Sequence, residues 1–432
     1  MSFVSCVRSF ILAGVIAGSF LPLKAVAQHT AYGSVTPRPD MIVDTGGAPN
    51  DAHALKQHYV VLVSLDGFRY SYPKDHGAPY LQGMMKQGAT APDGMIPAYP
   101  SLTFPNHWTL VTGLYPEHHG LVRNSFYDPE RKQSYRYTDP VANSDGSWYG
   151  GVPLWSLAEQ QGMRAATFMW PGSEAEVAGH RPTMYAKFQD YLDGHVGLDQ
   201  ISKWLRLPAA ERPHLMTLYL SATDHAGHWY GPDSEQEHEA VHVVDGLMSE
   251  LRSRLDRSGL PVDLVIVSDH GMVQNDNDWV NLDQYADLSH TVTSEWLMYP
   301  DSEAEKEKVY ESFKAHPDKR FEIYRQKDVP ERLHYTGNPR IGDPVIVANV
   351  PIIVHPSATG VARADLADHG YDVAKVPQMK SFFLAIGPDI RKDVKLPSFD
   401  NVDVYSFIAK LLDLNPGRTD GEVGPLKAAL KR

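Results

Sequence analysis

Asp66, Asp224 and the pair Asp269-His270 each stand close behind a short, largely apolar run: Tyr59–Ser64, Leu215–Leu220 and Asp263–Ser268. Runs of this kind suit strands buried on both faces. In an open α/β sheet the carboxyl ends of such strands form the ligand crevice. Distant parts of the chain would thus deliver three carboxylates and an imidazole to one edge, where like charges repel unless a cation neutralises them. Asp224 and His228 are four residues apart, which places both on one face of a helical turn. His369, in Asp368-His369-Gly370-Tyr371-Asp372, lies on a glycine turn able to return it to the same place. Mixed Asp and His donors favour Zn²⁺ over Ca²⁺ or Mg²⁺, which prefer all-oxygen shells. These residues, with the hydroxyl of Thr103, suffice for two ions sharing one crevice. Two metals about 3.5–4 Å apart stabilise both the attacking and leaving oxygens of a phosphoryl displacement.

Thr103 opens the stretch Thr103-Phe104-Pro105-Asn106-His107-Trp108. Pro105 suits a first helical turn and Gly113 a helix end. Two readings of Thr103 stand side by side. It is an N-cap, or it faces a phosphate held at the helix N-terminus. His107 and His225 are expected to turn away from the site, and His58, His118, His119 and His355 have a structural reading only.

The elements that must position these groups alternate. Arg164–Trp170 and Ser381–Ile386 add two further apolar runs, and helical patterns cover 152–161, 198–205, 234–257 and 404–412. Strands alternating with helices predict an α/β fold, with a largely parallel central sheet and helices on both faces. The core is expected over 58–274 and 349–432. The more charged segment 275–348, with a helix over Glu303–Ala315 and a strand-like piece at Arg320–Arg325, reads as a small inserted α+β subdomain.

With 432 residues there is ample length for a large core, and the net charge of −13 argues against nucleic-acid polymers or anionic membranes as partners. Arg8, the apolar run Phe10–Leu23 and Ala25-Val26-Ala27 match a cleaved signal peptide over 1–27. The run falls short of a membrane span, so an exported protein, periplasmic or secreted, is expected. Its single cysteine, Cys6, lies in that segment, leaving no disulfide in the mature chain. Residues 28–57 are polar, with no helix or strand period, and read as a flexible leader.

The motifs Ser64-Leu65-Asp66-Gly67-Phe68-Arg69, Pro100 to His107, Gly113-Leu114-Tyr115-Pro116-Glu117, Asp224-His225-Ala226-Gly227-His228 and Ser268-Asp269-His270-Gly271-Met272 resemble those of nucleotide pyrophosphatase/phosphodiesterases. These belong to the alkaline phosphatase superfamily. The resemblance covers Tyr59 to Leu414 and suits a compact, exported bacterial form. It implies an alkaline phosphatase-like core with two Zn²⁺, one on Asp224, His228 and His369 and the other on Asp66, Asp269, His270 and Thr103. It further implies that Thr103 is the nucleophile and forms a phosphothreonine ester. Asn124, in Val122-Arg123-Asn124-Ser125, would hold a non-bridging oxygen together with the Phe104 backbone N–H. Phe104 and Tyr219 are candidate walls for a base, with Trp170 of Trp170-Pro171-Gly172-Ser173 in the same pocket. Phe188 falls where nucleotide-cleaving members often carry a tyrosine. The expected activity is zinc-dependent hydrolysis of nucleotide phosphodiester and pyrophosphate bonds, such as ATP to AMP and pyrophosphate, with small-molecule nucleotides as partners. A lysophospholipid or choline phosphodiesterase, a phosphate monoesterase, and a non-catalytic zinc- or nucleotide-binding protein are the alternatives.

Overall fold

A strand covered on both faces needs apolar residues at every position, and Tyr59–Leu65 (β2) is buried throughout. Successive side chains point to opposite faces. Val60 and Leu62 enter one core, shared with Trp108 and Val111 of helix α1 (Thr103–Thr112), Trp155 of α2 (Leu154–Gln160) and Phe407 of α7 (Asp403–Leu411). Val61 and Val63 enter the other, with Ile201 of α3 (Gly194–Leu205) and Val244 of α5 (Glu235–Arg257). Helices therefore flank the sheet on both faces, as the alternation of patterns requires.

The computed structural model describes residues 32–275, 278–357 and 365–431. The signal segment 1–27 with Cys6, and residues 28–31, lie outside them. The sheet has nine strands: β1 (Ile42–Asp44), β2, β3 (Ala89–Thr90), β4 (Ala165–Phe168), β5 (Met184–Ala186), β6 (Leu215–Leu220), β7 (Val262–Val267), β8 (Phe383–Ile386) and β9 (Val394–Lys395). Their spatial order is β1-β5-β4-β6-β2-β7-β8-β3-β9. The block β5-β4-β6-β2-β7 is parallel throughout. β1 joins it antiparallel, and β8 pairs antiparallel with both β7 and β3. No described helix is long and apolar enough to cross a membrane.

The flexible leader expected over 28–57 is corrected in its later part. Ile42–Asp44 forms the edge strand β1 against Met184–Ala186, and Gly33 N–H donates to the Tyr191 carbonyl. An edge strand of three residues is held by backbone pairing and buries little, so no apolar alternation announces it. The segment expected as an insertion holds the helix α6 (Glu303–Ala315) and the antiparallel pair Phe321–Tyr324 with Val345–Ala348. Its packing continues past residue 348. Trp279–Asn281 pairs with Ile353–His355, and its core of Val280, Met298, Phe313 and Ile346 also takes in Ile352, Tyr371 and Met379.

Candidate active site

β2 lies between β6 and β7, so the carboxyl ends of three adjacent strands meet at one edge. Asp66 follows β2 directly. Asp224 and His228 are carried by α4 (Ala222–Tyr230), the helix begun just after β6. Asp269 and His270 leave the end of β7. Gly67 makes the close approach possible: its φ is +66°, and a Cβ there would meet Asp224 at 3.0–3.2 Å. Gly370, with φ +101°, turns the chain that brings in His369.

The donors form two touching groups. His228 Nε2 is 3.4 Å from Asp224 Oδ1 and 3.2 Å from His369 Nε2, which is 3.7 Å from Asp224 Oδ1. His270 Nε2 is 3.0 Å from Asp269 Oδ2 and 3.4 Å from Asp66 Oδ1. The His270 and His369 rings stack at 3.6 Å between centroids, which joins the groups. Thr103 Oγ1 sits 3.3 Å from His270 Nε2. The cap reading of Thr103 falls, because Leu102 occupies the N-cap, no side chain caps the helix, and Thr103 is the first residue of α1. Its hydroxyl faces the donors at the helix N-terminus instead.

Each imidazole has its orientation fixed by a main-chain carbonyl. Nδ1 of His228, His270 and His369 lies at 2.9, 2.9 and 3.0 Å from the carbonyls of Ala367, Gly271 and Ser101. A carbonyl only accepts, so each Nδ1 is the donor and each Nε2 turns a lone pair inward. Two such Nε2 atoms 3.2 Å apart have no proton between them in the neutral state. Asp66 Oδ1, Asp224 Oδ1 and Asp269 Oδ2 are buried without a hydrogen-bond partner. Inward lone pairs beside orphaned carboxylate oxygens fit metal cations, and sets of three donors drawn from this cluster lie within 4.8 Å of one another.

The electrostatics agree. Burial, then the Asp269 and Asp224 charges, push the Asp66 carboxyl well above its ordinary value. Burial would raise Asp224 and Asp269 too, but His228 holds the first low, and His270 with His107 the second. Against its own burial, His228 is pushed up to about 10 by Asp224. Burial and the neighbouring His270 and His228 push His369 down. The carboxylates thus gather protons onto imidazoles, and a bound cation would displace them.

Beside the donors opens a cavity of about 930 Å³ lined by Asp66, Thr103, Asn124, Asp224, His228 and His369 together with Phe104, Tyr137, Trp170, Phe188 and Tyr219. Asp269 and His270 lie fully buried behind this surface. Phe104 and Phe188 occupy its wall as expected from the sequence, Phe188 being 47% exposed. Trp170 is 1% exposed, with its indole N–H on the His107 carbonyl at 3.2 Å; it backs α1. Tyr219 lies on the cavity lining as expected and also supports a donor, since its hydroxyl donates to Asp66 Oδ2 at 2.5 Å. The expected pairing of Asn124 with the Phe104 N–H changes as well. That N–H donates to Asn124 Oδ1 at 2.9 Å, which leaves the Asn124 amide NH₂ as the donor for an oxyanion.

His107 does not turn away. Its Nδ1 donates to the Thr103 carbonyl at 2.8 Å and lies 3.3 Å from Asp269 Oδ2, while Nε2 meets Ser64 Oγ at 2.8 Å. The signal for it was present, as Thr103 and His107 share the four-residue spacing of Asp224 and His228. His225 pairs instead with Asp190 at 3.2 Å, on the cavity wall. Tyr137, whose ring lies 5.6 Å from that of Phe104, was missed; it follows the hairpin of Ser125–Asp128 with Gln133–Arg136, a setting that carries no signal.

A family profile described as type I phosphodiesterase / nucleotide pyrophosphatase matches residues 60–372. An uncharacterized pyrophosphatase/phosphodiesterase of Schizosaccharomyces pombe is 34% identical over 405 residues, covering 88% of this chain and 83% of that protein. Human ectonucleotide pyrophosphatase/phosphodiesterase family member 1 is 33% identical, and the match covers 86% of this chain but 42% of the human protein. Among solved structures, murine ectonucleotide pyrophosphatase / phosphodiesterase 5, as an inactive variant in complex with AMP, superposes with a TM-score of 0.81 at 28% identity. That match covers 87% of this chain and all of the murine one.

Proposed function

The chain belongs to the type I phosphodiesterase / nucleotide pyrophosphatase family, and we propose that it hydrolyses phosphodiester and pyrophosphate bonds of nucleotides with Thr103 as nucleophile. The observation that carries this reading is the Thr103 hydroxyl, at the first turn of α1, 3.3 Å from His270 Nε2 and open to an aromatic-walled cavity. Asp224, His228 and His369 would hold one Zn²⁺, and Asp66, Asp269, His270 and Thr103 the other. Bound there, the ions supply the positive charge that makes a threonine hydroxyl nucleophilic and offsets charge on the phosphoryl oxygens.

Thr103 Oγ forms a bond to phosphorus as the bond to the leaving oxygen breaks. For ATP the leaving group is pyrophosphate, and AMP stays as a phosphothreonine ester. Water then cleaves the phosphorus–Thr103 bond, releasing AMP and restoring the hydroxyl. The Asn124 NH₂ stabilises a non-bridging oxygen, and the N-terminus of α1 favours the negative charge beside it. Tyr219 and His107 hold Asp66 and Asp269 in place. Phe104, Phe188 and Tyr137 offer faces on which a base can stack.

Diesters are favoured over monoesters because Arg123, on the cavity wall, is already paired with Glu295 at 2.9 Å. The extra charge of a monoester dianion would meet a spent cation there. Relative rates on bis(p-nitrophenyl) phosphate and p-nitrophenyl phosphate test this, and a strong monoester preference overturns it. ATP set against lysophosphatidylcholine separates the nucleotide reading from a lipid one. Export rests on the signal-like segment, and N-terminal sequencing of mature protein beginning near Gln28 tests it.

A further inference from the structure

At the opposite edge of the sheet three side chains from adjacent strands meet. His58 precedes β2, Asp263 is the second residue of β7, and Asp389 follows β8. β2, β7 and β8 are neighbours, with Val60 beside Asp263 and Ile386 beside Leu264. His58 Nδ1 is 2.6 Å from Asp389 Oδ2. Asp263 Oδ1 accepts the Asp389 backbone N–H at 3.0 Å. The Asp263 side chain is fully buried, and its Oδ2 has no hydrogen-bond partner. One donor atom from each of the three residues lies within 4.8 Å of the others. Nothing local in the sequence links His58 to a carboxylate 331 residues away.

We propose that His58, Asp263 and Asp389 form a structural site for a divalent cation, Zn²⁺ by its donor set, separate from the catalytic crevice. One imidazole and two carboxylates are the mixed donors such an ion accepts, and its two charges balance the two carboxylates. Burial, reinforced by the Asp389 carboxylate and opposed by the Asp389 N–H and the Lys431 charge, pushes the Asp263 carboxyl up to about 7. Lys431 Nζ donates to the Pro388 carbonyl at 2.6 Å, and its backbone N–H to the Asp389 carbonyl at 2.9 Å. A cation here would tie three strands of the sheet, and through Asp389 the end of the described chain, into one clasp.

The test is metal content. Protein stripped by chelation is reloaded with excess Zn²⁺, freed of unbound ion by gel filtration and submitted to elemental analysis. Parent protein should retain one more zinc per chain than Asp263→Asn or Asp389→Asn, and both variants should melt below the zinc-loaded parent. Turnover of bis(p-nitrophenyl) phosphate should be the same in all three at assay temperature. Should the buried Asp263→Asn fail to fold, Asp389→Asn, at a side chain 13% exposed, decides alone. Equal zinc in parent and variants overturns the proposal and leaves a proton shared between the carboxyls. The readout is a difference in zinc, so it stands whether or not the crevice hydrolyses nucleotides.

Discussion

Tyr219→Phe tests whether the proposed zinc site at Asp66 is prepared by its neighbours. Asp66 is buried, its Oδ1 lacks a partner, and its Oδ2 accepts the Tyr219 hydroxyl at 2.5 Å. Burial and two neighbouring carboxylates disfavour the ionised form of Asp66, whereas the Tyr219 hydroxyl favours it. A metal needs that ionised form. Losing a hydrogen bond to a charged acceptor costs about 1.5–3 kcal/mol. Zinc affinity at this site should therefore fall on the order of 10–100-fold, the range seen when groups supporting metal ligands are removed. The phenylalanine ring keeps the packing on His107 and Phe188, whose centroids lie 5.2 and 6.2 Å away, so fold and cavity should persist. Competitive titration of stripped protein against a chromophoric zinc chelator measures the effect. It should appear in one of two binding phases, with the phase belonging to Asp224, His228 and His369 unmoved. Parent-like affinity in both phases refutes the reasoning.

Thr103→Ala should lose on the order of 10⁴-fold or more in kcat while fold and zinc content hold, checked by diester turnover beside elemental analysis. Asn124→Ala should lower kcat about 10²–10³-fold, the effect of removing one oxyanion donor, with KM for ATP little changed in steady-state kinetics. Stripped of metal, the protein should be pH-sensitive through His228, whose pKa rises from 6.5 to about 10 on folding, where burial opposes and Asp224 drives the shift. That stabilisation is fully present below pH 6.5 and is lost as pH climbs through about 10. The melting temperature of stripped parent should fall across this window more steeply than that of His228→Gln, measured by circular dichroism.

The donor set was legible in the sequence because each donor sits where local pattern suffices. Asp66, Asp224, Asp269 and His270 follow apolar runs whose ends a parallel sheet must align. His228 is fixed by helical spacing, and His369 by a glycine turn. Roles that depend on register were not legible. Ser64 pairs with Tyr219 across β2 and β6, and only that register lets the Tyr219 hydroxyl reach Asp66. A one-residue slip would turn the ring to the other face. His107 comes within 3.3 Å of Asp269, which lies just past β7, a tertiary contact that no local pattern announces. The strand at Ile42–Asp44 left no trace for a different reason, since edge pairing uses main-chain groups that every residue carries.

What prepares the crevice for metal is chiefly main chain. The carbonyls that fix the three imidazoles belong to Ser101, Ala367 and Gly271. Each lies within two residues of Thr103, His369 or His270 themselves, so the loops delivering the proposed nucleophile and the donors also set the tautomers. A carbonyl cannot be removed by side-chain substitution, and it offers a histidine only one proton position. Changes in this shell therefore have to come through side chains such as Tyr219 and His107, which hold carboxylates rather than imidazoles. The carboxylates of the Asp66, Asp269 and His270 set are therefore open to tuning by substitution, while the imidazoles of both sets are fixed by the fold.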